Sequence, residues 1–112
     1  MDSSAGRVLE EVVDAVVREV DPEQVYIFGS EARGEASPDS DIDVLIVENT
    51  PHTGESRLRR MGRLYRALAQ RNLGKSFDIL LFTVDEFNQW QHSRNHIIGR
   101  CLREGRLLYA RH

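Results

Sequence analysis

The segment VYIFGSEARGEASPDSDIDVLIV, residues 25–47, contains most of the information about the fold. It begins with a short apolar segment, residues 25–28, and ends with a longer one, residues 41–47. Short apolar, partly β-branched runs bounded by glycine, serine and proline predict buried strands. About ten residues separate the two segments, which is short for a parallel crossover, so we expect the two strands to be antiparallel.

The rest of the chain predicts helices interspersed with strands. The other predicted elements, in chain order, are a helix over 6–20, a helical turn over 31–34, a helix over 55–72, a strand over 77–82, a helix starting at Thr83, a helix over 97–102 and a short edge strand over 106–110. The first helix is predicted to end at Asp21-Pro22. Thr83 with Glu86 three residues later has the sequence of a capping box.

The order of these elements predicts the fold class. A full helix separates the strand at 41–47 from the strand at 77–82, so these two strands could be parallel. Together with the antiparallel pair, this predicts a small mixed β-sheet with flanking helices, an α/β (α+β) fold. The length of 112 residues predicts a single domain over residues 1–112.

Composition excludes several classes of protein. Apolar residues make up 40% and charged residues 29% of the chain, which is ordinary for a soluble globular protein. The longest apolar runs are short, as in residues 44–47, whereas a membrane-spanning helix needs about 20 apolar residues. The N-terminal sequence does not have the pattern of a signal peptide, and the one cysteine, Cys101, has no partner for an internal disulfide. We therefore expect a cytoplasmic protein that does not bind a membrane.

Charge is distributed unevenly along the chain. Residues 1–54 contain 13 acidic and 3 basic residues, a net charge of −10, and residues 55–112 contain 5 acidic and 12 basic residues, a net charge of +7. The two values sum to the −3 of the whole chain. Such a division indicates something about binding partners and says little about fold.

Three features of the sequence point to chemistry on phosphates. Gly29-Ser30 follows the first predicted strand, and a glycine that lets the backbone approach, followed by a helical turn, is suited to an anion. Asp41 and Asp43 are two residues apart on a strand and share one face, and paired carboxylates suit Mg²⁺. Asp78 lies at the start of the third strand, where an unpaired charge would be costly.

Each feature alone also has a simpler interpretation. A Gly-Ser after a strand is usually a turn, Asp-x-Asp is often a solvated strand edge, and an aspartate that begins a strand is usually a loop residue. The combination is more specific than any one of its parts.

The combination resembles a known family. Gly29-Ser30, ten intervening residues and then Asp41-x-Asp43 match the signature of the DNA polymerase β-like nucleotidyltransferase superfamily. The fuller string from Gly29 to Gly34, with Ser40 before the aspartate pair, looks like the minimal nucleotidyltransferases, and Phe77-Asp78-Ile79 matches that family's third carboxylate.

The resemblance implies a polymerase β-like palm fold and a mechanism that uses ATP and two Mg²⁺ ions. Asp41, Asp43 and Asp78 would be the catalytic and metal-binding carboxylates. Gly29 and Ser30 would hold the β- and γ-phosphates of the nucleoside triphosphate. Arg33 is placed either to reach a phosphate or to brace the loop.

The resemblance also implies a partner. Minimal members often pair with a small HEPN-domain toxin protein and act as the antitoxin, and they can transfer AMP to a tyrosine of the toxin. Two other interpretations remain open: a non-catalytic antitoxin that neutralises its partner by binding alone, and a transferase that acts on a small molecule or an RNA end. Binding to nucleic acid is possible but not favoured.

The predicted helix over 55–72 contains six arginines. Its apolar stripe of Leu58, Met61, Leu64, Tyr65 and Leu68 is expected to face the core. The arginines are Arg57, Arg59, Arg60, Arg63, Arg66 and Arg71. They form either a solvated face or a docking surface for an acidic partner, nucleic acid or triphosphate.

Histidine and aromatic residues give weaker signals. His92 and His96 are four residues apart on a predicted helix, a spacing that zinc could use, but no third ligand follows in the sequence, so a zinc site is not favoured. Trp90 and Tyr65 are expected to be packing residues and not a platform for a base, and Cys101 is expected to be a core residue.

Overall fold

The computed structural model describes residues 4–29, 41–49 and 56–111. The elements follow the predicted order. They are α1 Ser4–Glu19, β1 Pro22–Phe28, β2 Ile42–Glu48, α2 Arg57–Gln70, β3 Phe77–Thr83, α3 Val84–Trp90, α4 Ile97–Glu104 and β4 Arg106–Ala110. The predicted helical turn at 31–34 and the loop that follows it lie outside the described residues.

The four strands form one mixed sheet in the order β3-β2-β1-β4. β1 is antiparallel to both β2 and β4, and β2 is parallel to β3. The predictions of an antiparallel first pair, a parallel second pair and a C-terminal edge strand are therefore confirmed. The parallel pair is possible because α2 lies between β2 and β3 and provides the length that a crossover needs.

Helices cover both faces of the sheet. On one face α1 and α2 pack against Val44 and Ile46 of β2, and on the other face α3 and α4 pack against Leu45 and Val47. Successive side chains of a strand point to opposite faces, so a central strand between two helical layers needs apolar residues at every position. This explains why β2 is a continuous apolar run and not an alternating one.

Hydroxyl side chains cap the start of α2 and of α3. The Ser56 hydroxyl accepts a hydrogen bond from the backbone N–H of Arg59 at 3.2 Å, at the start of α2. At α3 the backbone N–H of Glu86 donates to the Thr83 hydroxyl at 3.2 Å, and the Glu86 carboxylate accepts from the backbone N–H of Thr83 at 2.9 Å. The predicted capping box is confirmed, and it fixes the point at which β3 turns into a helix.

The orientation of α2 differs from the prediction. The line that faces the core consists of Arg60, Leu64 and Leu68, all of them buried. Each residue turns a helix by about 100°, so Leu58 lies on the outer side, where it is 80% exposed. Tyr65 is also partly exposed. The prediction that both side chains face the core is therefore wrong.

Tyr65 has a different role, at the edge of the sheet. Its hydroxyl accepts a hydrogen bond of 2.9 Å from the backbone N–H of Ile79 in β3. β3 is an edge strand, and an unpaired N–H on such a strand is a template for unwanted pairing with another chain. Tyr65 covers one of these groups. Within the described ranges, no helix is long and apolar enough to cross a membrane.

Candidate functional site

The sheet aligns the candidate residues in a row at one end. Phe28, the last residue of β1, lies opposite Asp43 of β2, and Asp43 lies opposite Asp78 of β3. Gly29 follows Phe28 directly, and Asp41 precedes Asp43 by two residues. The structure therefore brings together four predicted site residues that the sequence separates by up to 49 positions.

The carboxylates share one face of the sheet. Asp43 alternates with Leu45 and Val47, which pack under α3 and α4, so it points to the same side as these residues. Asp78 is in register with Asp43 on the neighbouring strand and points to the same face. The two carboxylates are therefore adjacent, beyond the apolar part of that face.

Burial and like charge act together on Asp43. Partial burial raises the pKa of Asp43 above its ordinary value, and the charges of Asp78 and then Asp41 raise it further. Asp41 and Asp78 are exposed. The three side chains are therefore close enough for Asp41 and Asp78 to act electrostatically on Asp43, and ionisation of Asp43 is costly.

Gly29 approaches Asp43 closely. It has a φ of 77°, in the left-handed region, and a β-carbon at this position would lie 2.5 Å from Oδ2 of Asp43. Only glycine satisfies both conditions without strain. The sequence predicted a close approach of this glycine to a ligand, and the structure shows that its nearest side-chain neighbour is a site carboxylate.

The structure describes only some of the predicted site residues. Ser30 and Arg33 lie outside the described residues. In the part of the chain that is described, no three His, Cys, Asp or Glu side chains converge closely enough to hold a metal ion. The donor chemistry of Asp41, Asp43 and Asp78 nevertheless fits Mg²⁺, because all the candidate ligands are carboxylate oxygens on one face and their mutual repulsion is what a cation relieves.

His92 and His96 do not share a helix. His92 lies in a turn after α3, and His96 is the N-cap of α4. The prediction that both lie on one helix is therefore wrong. The Nδ1 atom of His96 accepts a hydrogen bond of 3.1 Å from the backbone N–H of Ile98, and its ring stacks on Trp90 at 4.7 Å. His96 is thus a capping and packing residue.

Most of the arginines of α2, and Arg71 at its C-cap, pair with carboxylates elsewhere in the fold, which the sequence analysis missed. Arg60 is buried against Glu48 at 2.7 Å, and Arg71 contacts both Glu11 at 2.6 Å and Asp14 at 2.8 Å. The other pairs are Arg57 with Glu86 and Arg63 with Glu19. Much of the charge difference between the two halves of the sequence is therefore neutralised inside the molecule.

The family is shown by comparison with known proteins. The family described as "Polymerase beta, Nucleotidyltransferase" matches residues 10–112. The chain belongs to this nucleotidyltransferase family. No curated protein sequence matches the chain.

Solved structures agree with the family. A protein described as a minimal nucleotidyltransferase is 31% identical, with a TM-score of 0.63, and the match covers 96% of this chain and 97% of that one. A protein of Sulfolobus solfataricus described as a nucleotidyltransferase is 25% identical, with a TM-score of 0.61 and coverage of 97% and 86%. A third similar chain, 14% identical, with a TM-score of 0.57 and coverage of 96% and 73%, comes from a complex of a tri-AMPylated HEPN toxin of Shewanella oneidensis with an MNT antitoxin. At that identity the likeness concerns the fold alone.

Proposed function

We propose that the chain is an Mg²⁺-dependent nucleotidyltransferase that transfers AMP from ATP to a tyrosine hydroxyl of a HEPN-type toxin partner. The observation that most supports this is the alignment of Asp43 with Asp78 across two parallel strands, next to Gly29. Adjacent carboxylates beside a close backbone approach are what transfer of a phosphate-containing group needs.

Each residue has a defined role in the proposal. Asp41, Asp43 and Asp78 hold two Mg²⁺ ions, which neutralise charge on the triphosphate when bound. Gly29 and Ser30 hold the β- and γ-phosphates through backbone and hydroxyl groups. Arg33 is assigned to phosphate contact or to bracing the loop.

The reaction is an in-line displacement at the α-phosphorus. The acceptor hydroxyl loses its proton towards Asp78, and its oxygen forms a bond to the α-phosphorus of ATP. The bond between the α-phosphorus and the oxygen that bridges to the β-phosphorus breaks, and pyrophosphate leaves. The contribution of the protein is to align the hydroxyl with that bond, since orientation supplies a large part of the rate.

Two considerations favour a protein acceptor. The AMPylated state of the HEPN toxin in the Shewanella oneidensis complex supports a toxin partner that receives AMP. In addition, the described helices and strands are used to build two cores, one on each face of the sheet, and one sheet end, so little of this part of the chain is left to enclose a small acceptor. A partner protein would bring its own hydroxyl and complete the cleft.

The main alternative is an antitoxin that neutralises its partner by binding alone. Asp43 argues against this alternative, because its ionised form is disfavoured by burial and by two neighbouring carboxylates. A protein that only binds has no use for such a costly arrangement, whereas residues that reduce stability are common at sites of chemistry.

The test is to incubate the protein with ATP labelled at the α-phosphate, Mg²⁺ and the product of the neighbouring gene. We expect label on that partner, lost in Asp43→Asn and kept in Asp85→Asn, a matched change of an exposed aspartate on α3. If label appeared on a free small alcohol or on an RNA end and never on protein, the proposal of a protein acceptor would be wrong. The proposal of nucleotidyltransferase activity would stand. Neutralisation of the toxin without any transfer of label would favour binding alone.

A further inference from the structure

The outer face of α2 is an exposed surface with apolar and basic character. It consists of Leu58, Arg59, Gly62 and Arg66, and is called the outer α2 face below. Leu58 is 80% exposed, and Arg59 and Arg66 are also exposed. A single exposed leucine is common on protein surfaces; what distinguishes Leu58 is that it lies beside two exposed arginines on the same side of the helix.

The structure separates the arginines of α2 into two groups. Arg57, Arg60 and Arg63, together with Arg71 at the C-cap of the helix, make ion pairs with carboxylates of other elements. Arg59 and Arg66 have no ion pair with any carboxylate in residues 4–29, 41–49 and 56–111. Arg59 and Arg66 lie on the same side of the helix as Leu58, so among the described residues the charge of α2 that is left for a partner lies on the outer α2 face.

The surface also has a shape that suits an inserted side chain. A hollow of about 430 Å³ lies along α2, lined by the outer α2 face together with Arg63. Gly62 forms part of its floor, because it has no side chain to fill the space. Even a β-carbon at Gly62 would have only one neighbour within 4 Å, the Arg66 guanidinium at 3.8 Å. The hollow is therefore lined by the apolar side chain of Leu58 and by arginine side chains.

We propose that the outer α2 face is the docking surface for an acidic amphipathic helix of the partner protein. An apolar side chain of that helix would lie against Leu58 and over Gly62, and its carboxylates would pair with Arg59 and Arg66. These two arginines are seven residues apart, which is about two helical turns or roughly 10 Å. Carboxylates seven residues apart on the partner helix match this spacing.

Charge complementarity favours an acidic partner over a second copy of the same face. The helix that carries the surface has no acidic residue in its first turn, so the cationic side chains stand without local compensation on α2 itself. A second copy of the same face would bring arginine against arginine, which is unfavourable. That this partner is the toxin rests on the proposed function, but the surface itself does not depend on AMP transfer.

Docking and chemistry take place on opposite faces of the sheet. α2 packs on the face of Val44 and Ile46, whereas Asp43 points to the face covered by α3 and α4. A partner held on α2 therefore does not contact the carboxylates through this surface. Changes on the outer α2 face should alter affinity without changing the nucleotide site.

The test uses the full chain and the product of the adjacent open reading frame as the probe. The variants are Leu58→Asp and the double change Arg59→Glu with Arg66→Glu, and their thermal unfolding should match the wild type because the three side chains are exposed. The control is Arg94→Glu with Arg106→Glu, the same change of charge on exposed residues away from α2. We expect at least a tenfold loss of affinity in calorimetry for the two α2 variants, and less than a twofold loss for the control.

Ionic strength gives a second readout. If Arg59 and Arg66 bind carboxylates of the partner, the affinity of the wild type should fall with added salt, and the double variant should show a weaker dependence. Wild-type affinity in both α2 variants, or an equal loss in the control, would overturn the docking surface. Binding of single-stranded RNA that is lost in the α2 variants while partner affinity is kept would assign the surface to nucleic acid instead.

The two proposals fail in different ways. If the α2 variants kept their affinity for the partner and label was still transferred to it, the proposed docking surface would be wrong. The proposed transfer of AMP would stand. Loss of affinity in the α2 variants, together with a wild type that binds but never transfers label, would support the surface and overturn the transfer.

Discussion

Asp43 and Asp78 lie side by side, in register, on the parallel strands β2 and β3. The two carboxylates point to the same face, and Asp78 is one of the charges that raise the pKa of Asp43. Two ionised carboxylates in adjacent positions repel each other, and the repulsion is larger where one of them is partly buried. The site is therefore a source of instability that a bound cation would reduce.

The first prediction concerns the cost of this arrangement. The change Asp43→Asn removes a charge but keeps the shape of the side chain, so we expect the variant to have a higher melting temperature than the wild type at neutral pH without divalent cations. It should also lose transfer activity. The measurement is thermal unfolding in the presence of a chelator, compared with the labelling assay.

The pH dependence of this gain follows from the direction of the shift. The pKa of Asp43 is higher in the folded than in the unfolded chain, so the unfolded state loses this proton first as the pH rises, and folding stability falls with it. The gain in Asp43→Asn should therefore disappear below the ordinary pKa of 3.8, where the carboxyl is protonated in both states. As a contrast, Asp14→Asn should give no gain at neutral pH, because Arg71 and Arg18 hold the pKa of Asp14 below its ordinary value. A lower melting temperature for chelated Asp43→Asn would identify Asp43 as a structural residue.

The second prediction concerns ligand binding. Mg²⁺ or Mn²⁺ together with ATP should raise the melting temperature, because a ligand that binds only the folded chain stabilises it by mass action. The double change Asp41→Ala with Asp43→Ala should abolish the shift. If the shift remained unchanged in the double variant, these two carboxylates would not be the metal ligands.

The third prediction concerns Gly29, for which the chain offers a matched control. Gly29 and Gly74 both have φ values in the left-handed region, 77° and 72°, so alanine at either position carries a conformational cost of roughly 1–2 kcal/mol. At Gly74 a β-carbon would meet no atom within 4 Å, whereas at Gly29 it would lie 2.5 Å from Oδ2 of Asp43. Gly29→Ala should therefore displace Asp43 and reduce the nucleotide-induced shift, and Gly74→Ala should keep that shift. Equal behaviour of the two variants in chemical unfolding and ligand binding would mean that the approach of Gly29 to Asp43 has no consequence.

The fold and the site could be predicted from the sequence to different degrees. The strand pairings and the Thr83 capping box followed from local patterns, because short apolar runs, loop length and cap chemistry act over a few residues. The location of Gly29, Asp43 and Asp78 at one end of the sheet followed from the same reasoning with the family resemblance. The strand pairings, the capping box and the location of the site depend on short-range patterns that can be recognised in a single sequence.

The orientation of α2 could not be predicted in this way. Leu58 and Arg60 are two residues apart, and apolarity alone favours Leu58 for the core. The structure buries Arg60 because Glu48, at the end of β2, supplies a partner for its guanidinium. Which carboxylate meets which arginine depends on the tertiary arrangement, and the sequence gives no local signal for it.

The fourth prediction concerns Cys101. The thiol is buried beside β1 and α3 in the smaller of the two cores, and burial raises its pKa to about 12. The thiolate is the reactive form, so an alkylating reagent should leave the folded protein unmodified at neutral pH and react fully once the chain is unfolded in denaturant. The measurement is mass spectrometry after timed exposure. Rapid modification of the native protein would mean that this core opens readily.

The last prediction concerns the buried pair of Arg60 and Glu48. Two hydrogen bonds join them, from Nη2 and Nε of Arg60 to Oε1 of Glu48, at 2.7 and 3.0 Å, and both side chains are almost fully buried. Burial raises the pKa of Glu48, and the bond to Arg60 opposes this rise. Arg60→Met alone leaves a buried carboxylate without its main cation, so we expect a loss of about 3–5 kcal/mol in the free energy of unfolding.

The double change Arg60→Met with Glu48→Leu should recover most of that loss, because apolar residues of similar volume remove both charges from the interior. The measurement is chemical unfolding of the two single variants and the double variant, which gives the coupling energy directly. Arg66→Met serves as the control on the exposed side of the same helix and should change stability little. A small effect of Arg60→Met would mean that water or another group reaches Glu48, and then the facing of α2 would be set by Leu64 and Leu68 and not by the ion pair.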